Sequence, residues 1–400
     1  MKKVLLLGGS MYIVPVIEAI HNLGYYAITC DYLPDNIAHK YSDEYHNISI
    51  IDKDAILNLA KELKVDGIMS FACDPGVETA AYVAEQLGLP THPYRSVEIL
   101  QNKVRFRQFL ADNGFNVPLA KGYTHWQDAA KDAEDFHWPV IIKPADSAGS
   151  KGVTKLERVE NLEEAALYAT SFSKTNTFIM EEFIEKRGCS SDTDSFSING
   201  ELVYCSFSNQ RFDANAANPY TPSAYSWPST MPQEIQMELR SELQRLFRLL
   251  DIQTSVFNIE TRQGVDGKPY IMEVSPRGGG NRLSEVLRIA SGVDLITNAV
   301  RAAVGDEIVG IHGDPVYNGA WAEVILHSDT DGIFDSLEFA AGFEDKHVME
   351  KQLWVNPGDS VHQFTAANFA IGTLVLRFDS QEELETYMAD IGSFVKVVVK

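Results

Sequence analysis

A chain of 400 residues with 45% hydrophobic content can bury a sizeable core and divide into roughly two to four structural units. Its formal charge of −22, spread along the sequence without an acidic tail, argues against affinity gained by neutralising phosphate backbones, so no nucleic-acid partner is expected. The four cysteines, Cys30, Cys73, Cys189 and Cys205, are too few and scattered for a disulfide framework and form no C-x-x-C pair, which fits a reducing, cytoplasmic setting.

The opening "MKKVLLLGGSMYIVP" has an apolar run of only four residues before Gly8-Gly9-Ser10 and no A-x-A-like cleavage site, so it reads as a buried strand and not as a signal peptide. No stretch approaches the roughly 20 apolar residues of a membrane span, and no membrane partner is expected. The amphipathic "VPVIEAIHNLG" predicts a helix closed by Gly24, and "YYAITCDY" a second strand. A second round follows in helix "KDAILNLAKELK", strand "DGIMSF" and helix "PGVETAAYVAEQLG", which completes a Rossmann-like parallel sheet over residues 1–95. Gly8-Gly9-Ser10 lacks the G-x-G-x-x-G spacing of a dinucleotide site, so this sheet reads as a structural or substrate-wall domain and a nicotinamide dehydrogenase is disfavoured.

"SVEILQNKVRFRQFLADNGFNVP" predicts one helix, capped by Asn102, ending at Gly114 and stopped by Pro118, and it opens a new unit. To about residue 305, strand and helix signals alternate irregularly around the helices "NLEEAALYATSF" and "QEIQMELRSELQRLFRLLDI", an α+β organisation. Within it, "SNQRFDANAANPYTPSAYSWPSTMP" predicts a long loop of the kind that carries function or moves. In residues 306–400, "AWAEVILHS", "QLWVNPGDSV" and "IGTLVLRF" predict strands and "SQEELETYMADI" one helix, a small β-rich α/β domain.

The stretch "NIETRQGVDGKPYIMEVSPRGGG", residues 258–280, carries the first chemistry. If Asp266-Gly267 is a two-residue turn, Val265 pairs with Lys268, Arg262 faces Ile271, Glu260 faces Glu273 and Asn258 faces Ser275. The apolar Ile259, Ile271, Met272 and Val274 then fall on both faces, which predicts a sheet buried on both sides. Two carboxylates about 5 Å apart at an effective dielectric near 20 repel by on the order of 3 kcal/mol, which a cation or a retained proton must offset. Hard oxygen ligands of this type suit magnesium; the alternative is a solvated hairpin with ordinary acids.

In "PVIIKPADSAGSKGV", residues 139–153, an apolar strand delivers Lys143 into the small-residue loop Ser147-Ala148-Gly149-Ser150-Lys151-Gly152, whose amides can approach phosphates. It is not a Walker loop, and an ordinary hairpin turn beside a solvated lysine is the alternative reading. "TFIMEEFIE", residues 177–185, reads as a strand whose open backbone edge beside Phe183 and Ile184 suits a flat purine, although many core strands look alike.

The order of these pieces, helix-borne Lys103, strand-borne Lys143, the glycine loop, "MEEFI" and "NIE…MEVSPRGGG", resembles the ATP-grasp superfamily. The preceding "LLLGGS…AITCDYLPD…YSDEYHNISIID…VDGIMSF" is similar to the pre-ATP-grasp domain of its carboxylase and purine-ligase branches, so the resemblance covers residues 1–305. It implies a Rossmann-like pre-ATP-grasp domain (residues 1–95), a two-part ATP-grasp domain (residues 96–305, with a nucleotide-binding lid near 120–185) and the small C-terminal domain. It also implies ATP with one or two magnesium ions, or manganese in their place. Lys103 and Lys143 would contact the phosphates, and the loop around Ser147, Gly149, Ser150 and Gly152 would close over them. Glu181, Glu182, Phe183 and Ile184 would form the adenine hinge. Glu260, Glu273 and Ser275 would hold metal, and Arg277 with Lys143 would stabilise the transferred phosphoryl group. Two departures stand out: Ser190 falls where relatives carry a ribose-binding Glu, and Ser275 replaces the Asn of E-x-N-P-R.

The implied reaction joins a carboxylate to an amine, or to a thiol, through an acyl phosphate. An amino acid or other small carboxylate is the favoured substrate, and a nucleotide-binding protein without ligase activity is the alternative. Arg211, Tyr220, Tyr225 and Trp227 of the long loop, with Gly279, Gly280 and Asn281 after the hairpin, are the candidate substrate contacts. The expected partners are small-molecule carboxylate and amine substrates, with a homodimer left open.

Overall fold

The computed structural model describes residues 1–147 and 149–400, so Ala148 of the glycine loop lies outside the described residues. The chain forms two compact units: Met1–Gly122, Thr193–Ser206 and Gln233–Pro315 in the first, and Tyr123–Asp192, Phe207–Pro232 and Val316–Lys400 in the second.

The first unit begins with a parallel sheet whose strands run Glu44–His46, Tyr26–Cys30, Lys3–Leu7, Gly67–Ser70 across the sheet. The strands are near-continuous apolar runs because helices cover them: Leu5, Leu7 and Ile28 pack with Ile56 of the Lys53–Leu63 helix and Val83 of the Asp74–Leu87 helix. The single helix expected after Ser96 is two, Tyr94–Gln101 and Lys103–Asp112. Asn102 is extended between them, and its side chain accepts from the Val104 and Arg105 amides at 3.1 Å each. That cap stops one helix, starts the next, and sets Lys103 in the first turn. A four-stranded sheet follows in the order Glu201–Tyr204, Ser191–Ile198, Ser255–Gln263, Pro269–Ser275.

In the second unit, Phe178–Glu182, Val140–Pro144 and Thr154–Leu156 lie side by side, with Val140–Pro144 between the other two. Val140, Ile142, Phe178, Met180 and Leu156 face the Leu162–Thr170 helix, burying Leu162, Ala165 and Ala169. The segment expected to be one long loop instead holds the antiparallel strands Asn209–Phe212 and Pro222–Trp227. They join Ala320–Leu326, Gly372–Phe378 and Val348–Leu353 in a five-stranded sheet. Asp213–Thr221 is left as the connection between these two strands, and residues 228–232 lead into the next helix. Strands Gly332–Phe339 and Val395–Val399 and the short helix Phe343–His347 also add to the elements expected near the C-terminus.

Candidate active site

Asn258 pairs with Ser275 and Glu260 with Glu273, as the turn arithmetic predicts, but by a different route. Gln263 pairs with Pro269, and the amide of Gly267 donates to the Gly264 carbonyl at 2.9 Å, so the connection is longer than two residues and Arg262 faces Tyr270, not Ile271. Between Thr261↔Ile271 and Glu260↔Glu273 the register shifts, leaving Met272 as the extra residue of a β-bulge. The longer turn and the bulge each move the register by one residue, in opposite senses, and cancel at the carboxylates. The bulge carbonyl of Met272 accepts from Arg107 Nη1 at 2.8 Å, a buried bond that the sequence did not suggest.

The bulge also corrects the expectation of apolar residues on both faces. Ile259 and Thr261 share one buried face with Val274 and Ile271, while Asn258, Glu260 and Arg262 share the other with Ser275, Glu273 and Tyr270. The polar face is half-buried, which is where facing carboxylates need compensation. Within the chain that compensation is cationic: Arg262 Nη2 lies 2.9 Å from Glu260 Oε1, and Lys103 Nζ lies 3.7 Å from Glu273 Oε2. The hairpin is therefore an alternating cluster of acids and bases, and the repulsion expected from the two glutamates alone is offset before any ion is added.

Arg277 is buried against Asp74, a residue sequence reasoning passed over. Its Nε and Nη2 donate to the two carboxylate oxygens at 3.0 and 2.7 Å, a bidentate pair, and Ser275 Oγ donates to the same carboxylate at 3.0 Å. Burial raises the Asp74 carboxyl, but Arg277, then Ser275, more than reverse this and hold it below its ordinary value. Burial likewise opposes the charge on Arg277, while Asp74 holds its pKa above the ordinary value. The signal for Asp74 was present in "FACDPG": an Asp at the carboxyl end of a parallel strand, opening a helix, sits where open α/β sheets bind ligands.

Beyond the hairpin, Gly279 donates its amide to Asp194 Oδ1 at 2.8 Å, and Asn258 Nδ2 and Ser284 Oγ donate to the same carboxylate. A Cβ at Gly279 would stand 2.9 Å from both Asp194 Oδ1 and Asn258 Nδ2, so the chain passes this carboxylate only as glycine. Asp194 is fully buried, and burial pushes its carboxyl up to about 6 despite the three donors. Tyr12 Oη donates to Asn281 Oδ1 at 3.1 Å. Asp194 thus organises the backbone that carries Gly279, Gly280 and Asn281.

In the second unit, strand register puts Ile141 opposite both Glu181 and Lys155, and Lys143 opposite Ile179. Lys143, Lys155 and Glu181 therefore share the sheet face turned away from the Leu162–Thr170 helix. Lys143 Nζ donates to Glu181 Oε1 at 3.0 Å, and Glu181 is 1% exposed. Glu182 points to the other side and accepts from the amide and ring of His137 at 2.9 and 2.7 Å. The Phe183 amide donates to the Pro139 carbonyl at 2.9 Å, and Lys155, unremarked in the sequence, stands 4.4 Å above the Phe183 ring.

The glycine loop begins at Asp146, whose side chain accepts from the Lys174 and Thr175 amides. Ser150 Oγ donates to the Tyr220 carbonyl at 3.0 Å, and Asn218 Nδ2 donates to the Ser150 carbonyl at 3.2 Å. At Gly152, with φ +70°, a Cβ would press on Phe172 and Pro144 at 2.9 and 3.0 Å. Of the expected substrate contacts, Trp227 is fully buried and Tyr225 2% exposed, their side chains absorbed by the five-stranded sheet. Tyr225 Oη donates to Asp192 Oδ2 at 3.2 Å, and Arg211 is paired with Glu385 at 2.7 Å. Ser190 is likewise buried, its backbone bridging Gln210.

Residues 136–285 match the family model of the ATP-grasp domain. The chain is similar to the crystal structure of L-amino acid ligase from Bacillus licheniformis, with a TM-score of 0.81 at 19% identity over 100% of this chain and 99% of that one. The biotin carboxylase domain of Hydrogenobacter thermophilus 2-oxoglutarate carboxylase, in complex with MgADP, ADP and bicarbonate, superposes with a TM-score of 0.76 at 18% identity, covering 100% of this chain and 91% of that one. The formate-dependent phosphoribosylglycinamide formyltransferase of Synechococcus sp. strain WH7803 is 30% identical over 196 residues, 46% of this chain and 48% of that protein. The chain spans about half or less of the length of the curated relatives it matches. Among the described residues, no helix is long and apolar enough to cross a membrane.

Proposed function

We propose that the protein is an ATP-dependent ligase that joins a carboxylate, an amino acid or another small acid, to an amine or thiol through an acyl phosphate. The observation that carries this reading is the cross-strand pair Glu260↔Glu273, set on a polar face beside Lys103. Two hard carboxylates on facing strands form a donor set that fits magnesium. Magnesium, when bound, supplies positive charge against the phosphate oxygens. The chain's own part is positioning and electrostatics. Lys103 and Lys143 bind phosphates, each leaving its resting partner Glu273 or Glu181, and the amides around Ser147, Gly149, Ser150 and Gly152 cover them. The Glu181–Ile184 backbone holds the purine, with Lys155 over Phe183 closing the end of that strand. Arg277, fixed by Asp74, orients the carboxylate or phosphoryl group, and the Gly279–Asn281 backbone, fixed by Asp194, forms a wall for the acid substrate.

Support comes from the matched ATP-grasp domain, from the MgADP named in one structural relative and from the amino-acid ligase fold at a TM-score of 0.81. The test is phosphate release from ATP and magnesium against pools of carboxylates and amines. Release that requires both an acid and a nucleophile is expected. Nucleotide binding without such release would leave a non-ligating nucleotide binder, and a larger thermal shift with NAD than with ATP would overturn the reading altogether.

A further inference from the structure

A second group of ligand-type side chains lies in the second unit, in a part of it that the proposed reaction does not use. Asp213 follows the Asn209–Phe212 strand, and His327 and Asp329 follow the Ala320–Leu326 strand. An isolated bridge, Ser328↔Gln363, follows that strand, and Asp329 stands in the bend just beyond it, two residues after His327. One ligand atom from each of Asp213, His327 and Asp329 falls within 4.8 Å of the others.

The hydrogen bonds around these residues leave the correct atoms facing inward. His327 Nδ1 lies 2.7 Å from the Ile325 carbonyl, an acceptor only, so Nδ1 carries a proton, and in the neutral ring the Nε2 lone pair faces Asp213 Oδ2 at 3.3 Å. A neutral imidazole lone pair against a carboxylate oxygen is repulsive unless a proton or a cation lies between them. A separation of roughly 3.3 Å is also what two tetrahedral ligands at about 2.0–2.1 Å from one zinc ion present to each other. The other oxygen of Asp213, Oδ1, accepts from the Asn215 amide at 2.8 Å, and the His327 ring is stacked on Phe364 at 4.3 Å, so two of the three groups are oriented by partners behind them.

We infer that Asp213, His327 and Asp329 form a binding site for a divalent transition-metal ion of the zinc class, separate from the hairpin carboxylates. One imidazole and two carboxylates suit zinc, cobalt or manganese and leave a coordination position for water. Asp213 opens the Asp213–Thr221 connection, which carries Asn218 and Tyr220, the two partners of Ser150. An ion at Asp213 therefore ties down the segment that holds the glycine loop, and its effect is to order that segment.

The experiment is titration of zinc alone into the metal-stripped full chain by calorimetry, with amide hydrogen exchange followed at 213–221 and 327–330. One equivalent bound, with exchange slowed in both segments, is expected. Asp329 is exposed, so Asp329→Asn leaves the fold intact and should weaken zinc binding at these segments by at least about tenfold, with His327→Ala abolishing it. Absence of zinc binding, protection confined to the 258–275 hairpin, or affinity undiminished in either variant would overturn the site and leave a plain imidazolium–carboxylate pair. If His327→Ala fails to fold, the Asp329→Asn result decides.

Discussion

Two antiparallel strand pairs, Ser255–Gln263 with Pro269–Ser275 and Asn209–Phe212 with Pro222–Trp227, show how differently a hairpin can be specified. In the first, a turn longer than two residues and a bulge at Met272 cancel to bring the two glutamates opposite each other, and the charges find cations close by: Arg262 on the same strand and Lys103 on the neighbouring helix. In the second, Asn, Pro, Ser and Tyr obscure any alternation. Its anchors come from far along the chain, Glu385 for Arg211 and the Ala320–Leu326 strand for the whole edge. Local alternation is enough to mark the first segment as a strand pair, although its final register needs the bulge; where a remote strand supplies the edge, the segment reads as loop.

The largest effects should come from taking away what each pair buries. Trp227→Ala should cost about 3–5 kcal/mol in urea unfolding if the second pair is core, as its full burial states. A loss under about 1 kcal/mol would return the segment to the status of a surface loop. On the first pair's side, Asp74→Ala leaves the Arg277 guanidinium buried without its carboxylate and should cost about 3–5 kcal/mol. The double variant Asp74→Ala/Arg277→Met should recover much of that loss; failure to do so would assign the cost to packing.

Asp194 sharpens the comparison through pH. Its folded value of about 6 lies above the ordinary 3.8, so the protonated form is favoured by folding. The stabilisation is complete below pH about 4, is lost as pH rises through about 6, and amounts to roughly 3 kcal/mol. Asp194→Asn should therefore flatten the stability profile between pH 4 and 6, measured as urea midpoints. An unchanged slope would mean that the Ser284, Gly279 and Asn258 donors already keep the carboxylate ionised.

Smaller still are the paired, partly exposed charges. Glu260→Gln or Glu273→Gln should destabilise the protein in chelator by no more than about 1 kcal/mol, because each loses a screened ion pair, while abolishing magnesium-dependent turnover. Stabilisation in chelator would show that glutamate repulsion outweighs Arg262 and Lys103. Glu385→Ala, which frees Arg211 at the second pair, should cost under about 1 kcal/mol and leave the melting transition cooperative.

The sequence by itself determined what periodicity and turn chemistry encode within a few dozen residues. That includes the parallel sheet from Lys3 to Ser70, the Asn102 cap that sets Lys103, the strand bearing Lys143 and the pairing of the two strands that carry Glu260 and Glu273. These rest on backbone geometry, which repeats every two or 3.6 residues and is written in adjacent side chains. Only the tertiary structure decided the bulge at Met272, the commitment of Arg277 to Asp74, the burial of Asp194 beneath Gly279, and the recruitment of Tyr225 and Trp227 into a sheet. Each of those depends on desolvation by, or bonding to, groups far away in sequence, and burial is a property of the folded neighbourhood that no local pattern records.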